Sequence, residues 1–315
     1  MTNEIEIAKE TILPGRSQIL EIPVSRLPTQ TVLSLPVTVV NGTKPGPKLW
    51  LSAAIHGDEL NGVEIIRQVL EQVKPENLRG TLFAVPIVNV FGFIEQSRYL
   101  PDRRDLNRSF PGSETGSLAS RLANLFMREI VNQSTHGIDL HTAAIHRVNL
   151  PQIRANLADK ATYDCAKAFG TEVIMHATTR DGSLRQAATK KGIPVLLYEA
   201  GEALRFDAQA IATGVQGIFR VMNHLGMSDF STIKLPTAPT EIRKSKWVRA
   251  SRGGIFHLAI GLGEKVVKKQ KLGFITDAFG QSQQWVRASV NGIVISYTLN
   301  PLVNQGDGIV HLAVI

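Results

Sequence analysis

The chain has a single cysteine, Cys165, in 315 residues, so no disulfide can close within it. Zinc fingers and thiolate-held iron–sulfur clusters need several cysteines and are excluded with it. One lone thiol fits a reducing compartment, and the expected location is the cytoplasm. No apolar run approaches the ~18 residues of a membrane helix, so no membrane partner is expected. The opening stretch MTNEIEIAKE is polar and acidic, unlike a secretory signal. Acidic residues are scarce in one region: residues 241–315 carry ten Lys/Arg against four Asp/Glu, most of the chain's net charge of +8. The basic stretches RKSKW and KVVKKQK contain no recognisable nucleic-acid motif. They read as solvated lysines on β-hairpins, and no nucleic-acid partner is expected.

What is present suits a soluble globular protein: 43% of residues are hydrophobic, and the length suggests roughly two domains. Up to about residue 225, strand-like and helix-like patterns alternate. KLWLSAAI (48–55), GTLFAVPIVN (80–89), GIDLH (137–141), TEVIMHA (171–177) and IPVLLYEA (193–200) are short apolar runs that predict buried strands. VEIIRQVLEQVK (63–74), SLASRLANLFMREIVN (117–132) and 208–226 have helical spacing. Such alternation predicts an α/β domain, 1–230, with a mainly parallel sheet covered on both faces; residues 1–45 add an N-terminal β segment. A polar, proline-containing stretch near 227–245 reads as a linker. Beyond it, 231–315 is β-like, and GGIFHLAIGLGEKVVKKQKLG resembles NGIVISYTLNPLVNQGDGI. Two such halves predict a small barrel-sandwich like that of biotinyl and lipoyl carriers. The segment between them, TDAFGQSQQWVRASV, lacks the lysine that carriers modify.

The stretch AAIHGDELNG is chemically dense. His56 falls where a strand ends and Glu59 where a helix begins, so both side chains can enter one crevice. In open α/β sheets the crevice at the carboxyl ends of the strands is the usual ligand site. His141 ends another strand, and Asp139, two residues earlier on the same face, can buttress it. Two imidazoles and a carboxylate make a donor set for zinc, and three protein ligands mark a catalytic site more than a structural one. His136, His146, His176, His224, His257 and His311 lack comparable partners and read as structural, with His146 and His176 able to line a cleft.

PVLLYEAGE ends an apolar strand with Glu199, a costly position unless the carboxylate is paired or functional. It is a candidate general base, and Glu202, beyond the turn, is a weaker one. SRYLPDRRDLNRSFPG packs Arg98, Arg103, Arg104, Asn107 and Arg108 into an irregular segment. Arginine forks match carboxylates, so a substrate carboxylate is one partner; Asp102 and Asp105 on the surface are the other. Arg185, in GSLRQAA, is a candidate for a second carboxylate or a plain helix-start arginine.

HGDELNG, DLNRSFPG, DLHTA and YEAGE stand in the order and approximate spacing of the succinylglutamate desuccinylase/aspartoacylase family, which the chain resembles over roughly 45–225. The resemblance implies a zinc carboxypeptidase-like α/β fold with a β-rich C-terminal domain. It implies one zinc ion per chain, held by His56, Glu59 and His141. Glu199 matches the family's general base and proton shuttle. Asn107 and Arg108 match its clamp for a substrate carboxylate. Arg98 matches the arginine that polarises the scissile carbonyl, with Arg103 and Arg104 as the other candidates, and Arg185 aligns loosely with the side-chain-binding arginine. The implied activity is deacylation of a small N-acyl amino acid. A carboxypeptidase-like peptidase and a metal-stabilised binding module are the competing functions, and a homo-oligomer is compatible with all three.

Overall fold

The computed structural model describes residues 4–228 and 238–315. Its centre is four parallel strands in the order Arg79–Val85, Lys44–Ala53, His136–Ala143 and Val195–Glu202. Leu49, Trp50 and Leu51 are wholly buried, as an unalternating apolar strand requires when both sheet faces are covered. Val32–Asn41 and Arg16–Arg26 extend one edge antiparallel, which makes the sheet mixed. On one face, helices Asn61–Gln72, Lys160–Phe169 and Ala208–His224 bury Ile65, Ile66, Phe169 and Ile218. On the other, helix Leu118–Glu129 buries Leu122 and Phe126 against the N-terminal strands. Ser117, Asp159 and Asp207 each accept a hydrogen bond from a backbone N–H of the helix that follows, which fixes where the helices begin.

Three features depart from the sequence reading. The sheet is mixed rather than mainly parallel, because among the described residues seven of its twelve strand pairings are antiparallel and the parallel ones are confined to the central strands and the Val173–His176 strand. Arg147–Ala155 is a strand, pairing antiparallel with Val195–Glu202. Its Pro151 argues against a strand by composition; here the register shifts between the Asn149 and Gln152 pairings, and the proline sits in that irregularity. The stretch expected to be a linker near 227–245 is structured at both ends. Met227 is fully buried, Thr240–Ile242 pairs parallel with Val173–His176, and Ser245–Arg249 is a strand. Residues 229–237 of that stretch, with the expected boundary at 230, lie outside the described residues.

The C-terminal strands continue the main sheet. Gly292–Thr298 pairs with Arg147–Ala155, then with Gly308–Val314, which pairs with Ser245–Arg249. A second layer, ordered Gln283–Arg287, Lys271–Thr276, Gly254–Leu258 and Leu302–Val303, packs over them on Phe256, Ile275, Val294 and Leu312. Among the described residues no helix is long and apolar enough to cross a membrane.

Candidate active site

The loop after Lys44–Ala53 turns on a backbone bond from Glu59 N–H to the His56 carbonyl, 3.1 Å. Gly57 permits this turn to lie flat on its neighbour, because a Cβ there would stand 1.9 Å from the backbone of Gly92. Asn61 opens the next helix and fastens it to the sheet: its Nδ2 donates to the Ala200 carbonyl (3.1 Å) and its Oδ1 accepts from Asp207 N–H (3.0 Å). The helix starts at Asn61, so Glu59 lies just before it rather than on it.

His56, Glu59 and His141 converge, all buried, with potential ligand atoms within 4.8 Å of one another. Glu59 bridges the imidazoles: Oε1 is 2.6 Å from His56 Nδ1 and Oε2 is 2.7 Å from His141 Nδ1. The opposite nitrogen of each ring faces another carboxylate. His141 Nε2 is 2.9 Å from Asp139 Oδ2, and His56 Nε2 is 3.3 Å from Asp105 Oδ1. Ser52 Oγ donates to Asp139 Oδ1 at 2.7 Å, which fixes that carboxylate in turn. Rings oriented this way are what metal-ligating histidines have.

Electrostatics agree with the geometry. Burial pulls the His141 imidazole down, but Asp139 and Glu59 outweigh it and hold the group well above its ordinary value. His56 is raised in the same way by Glu59 and Asp105, against burial. Burial pushes the Glu59 carboxyl up, yet the two histidines hold it far below the usual carboxylate range. The pocket thus stabilises two positive charges in a small volume. A divalent cation bound to neutral imidazoles would supply the same charge, with release of protons.

Arg98 reaches this cluster. Its Nη2 is 2.9 Å from Asp105 Oδ2, and its Nη1 is 3.2 Å from His56 Nδ1 and 3.6 Å from Glu59 Oε1. Arg104 instead pairs with Asp102 at 3.5 Å on the surface, and Arg103 is exposed. Arg98 and Arg104 thus pair with Asp105 and Asp102, the protein's own carboxylates in this segment. Asp105 is a joint of the site, not a surface residue: it touches His56 and Arg98 and accepts from Asn107 N–H at 2.8 Å.

Glu199 sits beside His141 in the parallel register, so both side chains leave the sheet on one face. Asn149 Nδ2 donates to Glu199 Oε2 at 2.8 Å, and Arg154 Nη1 lies 3.6 Å from Oε1. Gly201, at φ +75, turns the chain just beyond, where a Cβ would stand 2.5 Å from the Asn61 amide. Glu202 faces away, accepting from His146 N–H and pairing with Arg205. Asn107 Oδ1 accepts from Leu184 N–H at 2.9 Å, Arg108 Nη1 donates to the Asn107 carbonyl, and Arg185 donates to the carbonyls of Ala177 and Thr178. Burial pushes the Arg185 guanidinium down to about 10, with Arg154 adding to the shift.

His56, Glu59, His141, Arg98, Asn107, Arg108, Arg185 and Glu199 line one cleft of about 700 Å³. Its outer wall comes from the C-terminal strands through Trp247, Ser296 and His311, and His176 also lines it. His311 thus faces the cleft, where the sequence offered no partner for it. Asn149, Arg154 and Trp247 were also unmarked, since their approach to Glu199 or the cleft depends on strand pairings distant in sequence.

Residues 45–225 match the profile described as the succinylglutamate desuccinylase/aspartoacylase catalytic domain. The chain is 26% identical over 293 residues to an N-alpha-acetyl-L-2,4-diaminobutyric acid deacetylase of Halomonas elongata, covering 89% of this chain and 85% of that one. Among solved structures it resembles a succinylglutamate desuccinylase/aspartoacylase from Rhodobacter sphaeroides, with TM-score 0.84, 25% identity and coverage of 96% and 97%. It also resembles the product-bound ectoine utilization protein of Ruegeria pomeroyi, with TM-score 0.85, 26% identity and coverage of 96% and 98%. With the profile spanning more than half its length, the chain belongs to the succinylglutamate desuccinylase/aspartoacylase family.

Proposed function

We propose that this protein is a zinc-dependent amidohydrolase that deacylates a small N-acyl amino acid or a related carboxylate-bearing amide. The observation that carries the reading is the convergence of His56, Glu59 and His141 beside Glu199 in one cleft. Zinc held by those three residues would supply Lewis acidity and bring the pKa of a water toward ~7.

The chain's own groups do the rest. Glu199 takes a proton on its carboxylate as water adds to the amide carbonyl carbon. It returns that proton to the amide nitrogen as the carbon–nitrogen bond breaks, which releases a carboxylic acid and an amine. Arg98, anchored by Asp105, donates to the carbonyl oxygen as it gains charge. Asn107 and Arg108 clamp a substrate carboxylate, and Arg185 lines the far side of the pocket.

The units are read as 1–230, catalytic, and 231–315, a carrier-like sandwich without a modifiable lysine that serves as cleft wall. A wall on this side favours small substrates over peptide chains. A screen of zinc-loaded protein over acetyl, succinyl and longer acyl amino acids, with short peptides alongside, tests the reading. Hydrolysis confined to N-acyl amino acids supports it; cleavage of peptides alone replaces it with a carboxypeptidase-like activity, and no hydrolysis at all removes it.

A further inference from the structure

Glu199 is held at both of its oxygens. Asn149 Nδ2 donates to Oε2 at 2.8 Å, and Arg154 Nη1 lies 3.6 Å from Oε1. Each carboxylate oxygen carries two lone pairs, so these contacts still leave room for a proton. What fixes Asn149 and Arg154 then decides how firmly the carboxylate is aimed.

Gln152 stands directly opposite Glu199 in the antiparallel pairing, so the two side chains leave the sheet on one face. Arg154, two residues further along the strand, shares that face. Ile153, between them, packs into the core on the helix side. Glu199 and Arg154 reach the cleft, whereas Gln152 is wholly buried. Its neighbour in register on the other side is Val173, which belongs to an apolar cluster with Ile242, Ile293 and Ile295.

Among the described residues, Gln152 is the only side chain with two buried polar atoms that lack a hydrogen-bond partner, its Oε1 and its Nε2. Arg154 Nε is buried and unpartnered as well. An amide sealed beside apolar groups with both ends unpaired is costly, and methionine would fill a similar volume without that cost. Buried polar groups out of reach of a protein partner are satisfied by internal water, which itself needs two to four polar contacts. Gln152 offers a donor and an acceptor, and Arg154 Nε a second donor.

We propose that an internal water bridges the Gln152 amide and Arg154 Nε, and so locks the Arg154 guanidinium against Glu199. A planar fork tied at Nε and at Nη1 has two fixed points and cannot rotate away from the carboxylate. Gln152 is therefore a positioning residue, acting on the general base through Arg154. The bridge stands without reference to any reaction; its effect on turnover rests on the deacylase reading.

Two measurements test this. A high-resolution crystal structure of the zinc-loaded protein should show ordered water density within hydrogen-bond distance of both the Gln152 amide and Arg154 Nε. That density should vanish in Gln152→Met. A dry site, or a direct protein partner for the amide, overturns the bridge. In turnover of N-acyl amino acids, expressed per bound zinc, Gln152→Met should lower kcat by about 10- to 100-fold with KM changed by less than about twofold. Arg154→Met should lower kcat at least as much, and the double variant should be no slower than Arg154→Met alone. Effects that multiply, or an unchanged kcat in Gln152→Met, overturn the positioning role. If the unaltered protein hydrolyses no N-acyl amino acid, the deacylase reading fails, and the crystallographic result still decides the bridge.

Discussion

Asp139 Oδ2 lies 2.9 Å from His141 Nε2, two residues apart on one strand, and so holds the imidazole with its other nitrogen turned toward Glu59. Asp139→Asn removes the charge but keeps the shape. It should lower zinc affinity by about 10–100-fold, read by competition with a chelator, while kcat at saturating zinc changes less. His141→Ala and His56→Ala should abolish stoichiometric zinc by elemental analysis. Full metal content in either variant would contradict the ligand assignment.

Glu199→Gln keeps the hydrogen-bonding shape beside Asn149 but cannot accept a proton. The expected outcome is a fall in kcat of about 10²–10⁴ with zinc still bound. Single-turnover rates and metal content on the same sample check it, and normal turnover would refute the role.

Arg98 and Arg108 should separate kinetically. Arg98 contacts the His56–Glu59 cluster, where carbonyl charge would develop, so Arg98→Ala should lower kcat. Arg108→Ala should chiefly raise KM for carboxylate-bearing substrates. Steady-state constants for both variants on one substrate decide the matter; identical patterns would dissolve the division of labour.

His311 sets a pH dependence of stability. Unfolded, its imidazole takes up a proton near pH 6.5; folded, it waits until about 4. Across that window the unfolded chain binds more protons, so stability falls on acidification from 6.5 through 4, by up to about 3 kcal/mol. His311→Phe keeps a ring on Trp247 and should flatten that part of the curve in urea unfolding at successive pH values. An unchanged slope would show that another group is responsible.

Gly57→Ala would press a methyl into the Gly92 backbone. The expected cost is about 1–3 kcal/mol, visible as a lower melting temperature together with weakened zinc loading, because the displaced turn carries both His56 and Glu59. A melting curve that matches the parent would mean the loop has room to yield.

The parts of the site legible in sequence were those written locally. His56 and Glu59 share one turn, and His141 with Asp139 share one strand, so spacing alone put their side chains together. The parallel core was equally readable, from apolar runs too uniform to have a wet face. Asp105 was ambiguous, because an irregular loop carries no periodicity to say which way a carboxylate points. Asn149 and Arg154 were hidden by Pro151, which masks the strand they sit on. Trp247 and His311 were hidden by distance: their cleft positions follow from pairings between strands over 60 residues apart or more, which no local pattern encodes.

The pairing of Ser296–Thr298 with Arg147–Asn149 has a mechanical corollary. A wall joined to the central sheet by backbone hydrogen bonds cannot swing as a hinged flap, so entry to the cleft falls to side chains and loops around a fixed frame. Cutting the chain near residue 230 would also bare the Arg147–Asn149 edge, beside the Gln152–Ala155 stretch that stays paired with Val173–His176, and invite pairing with foreign strands. The tail thus completes the margin of the same sheet that carries Glu199.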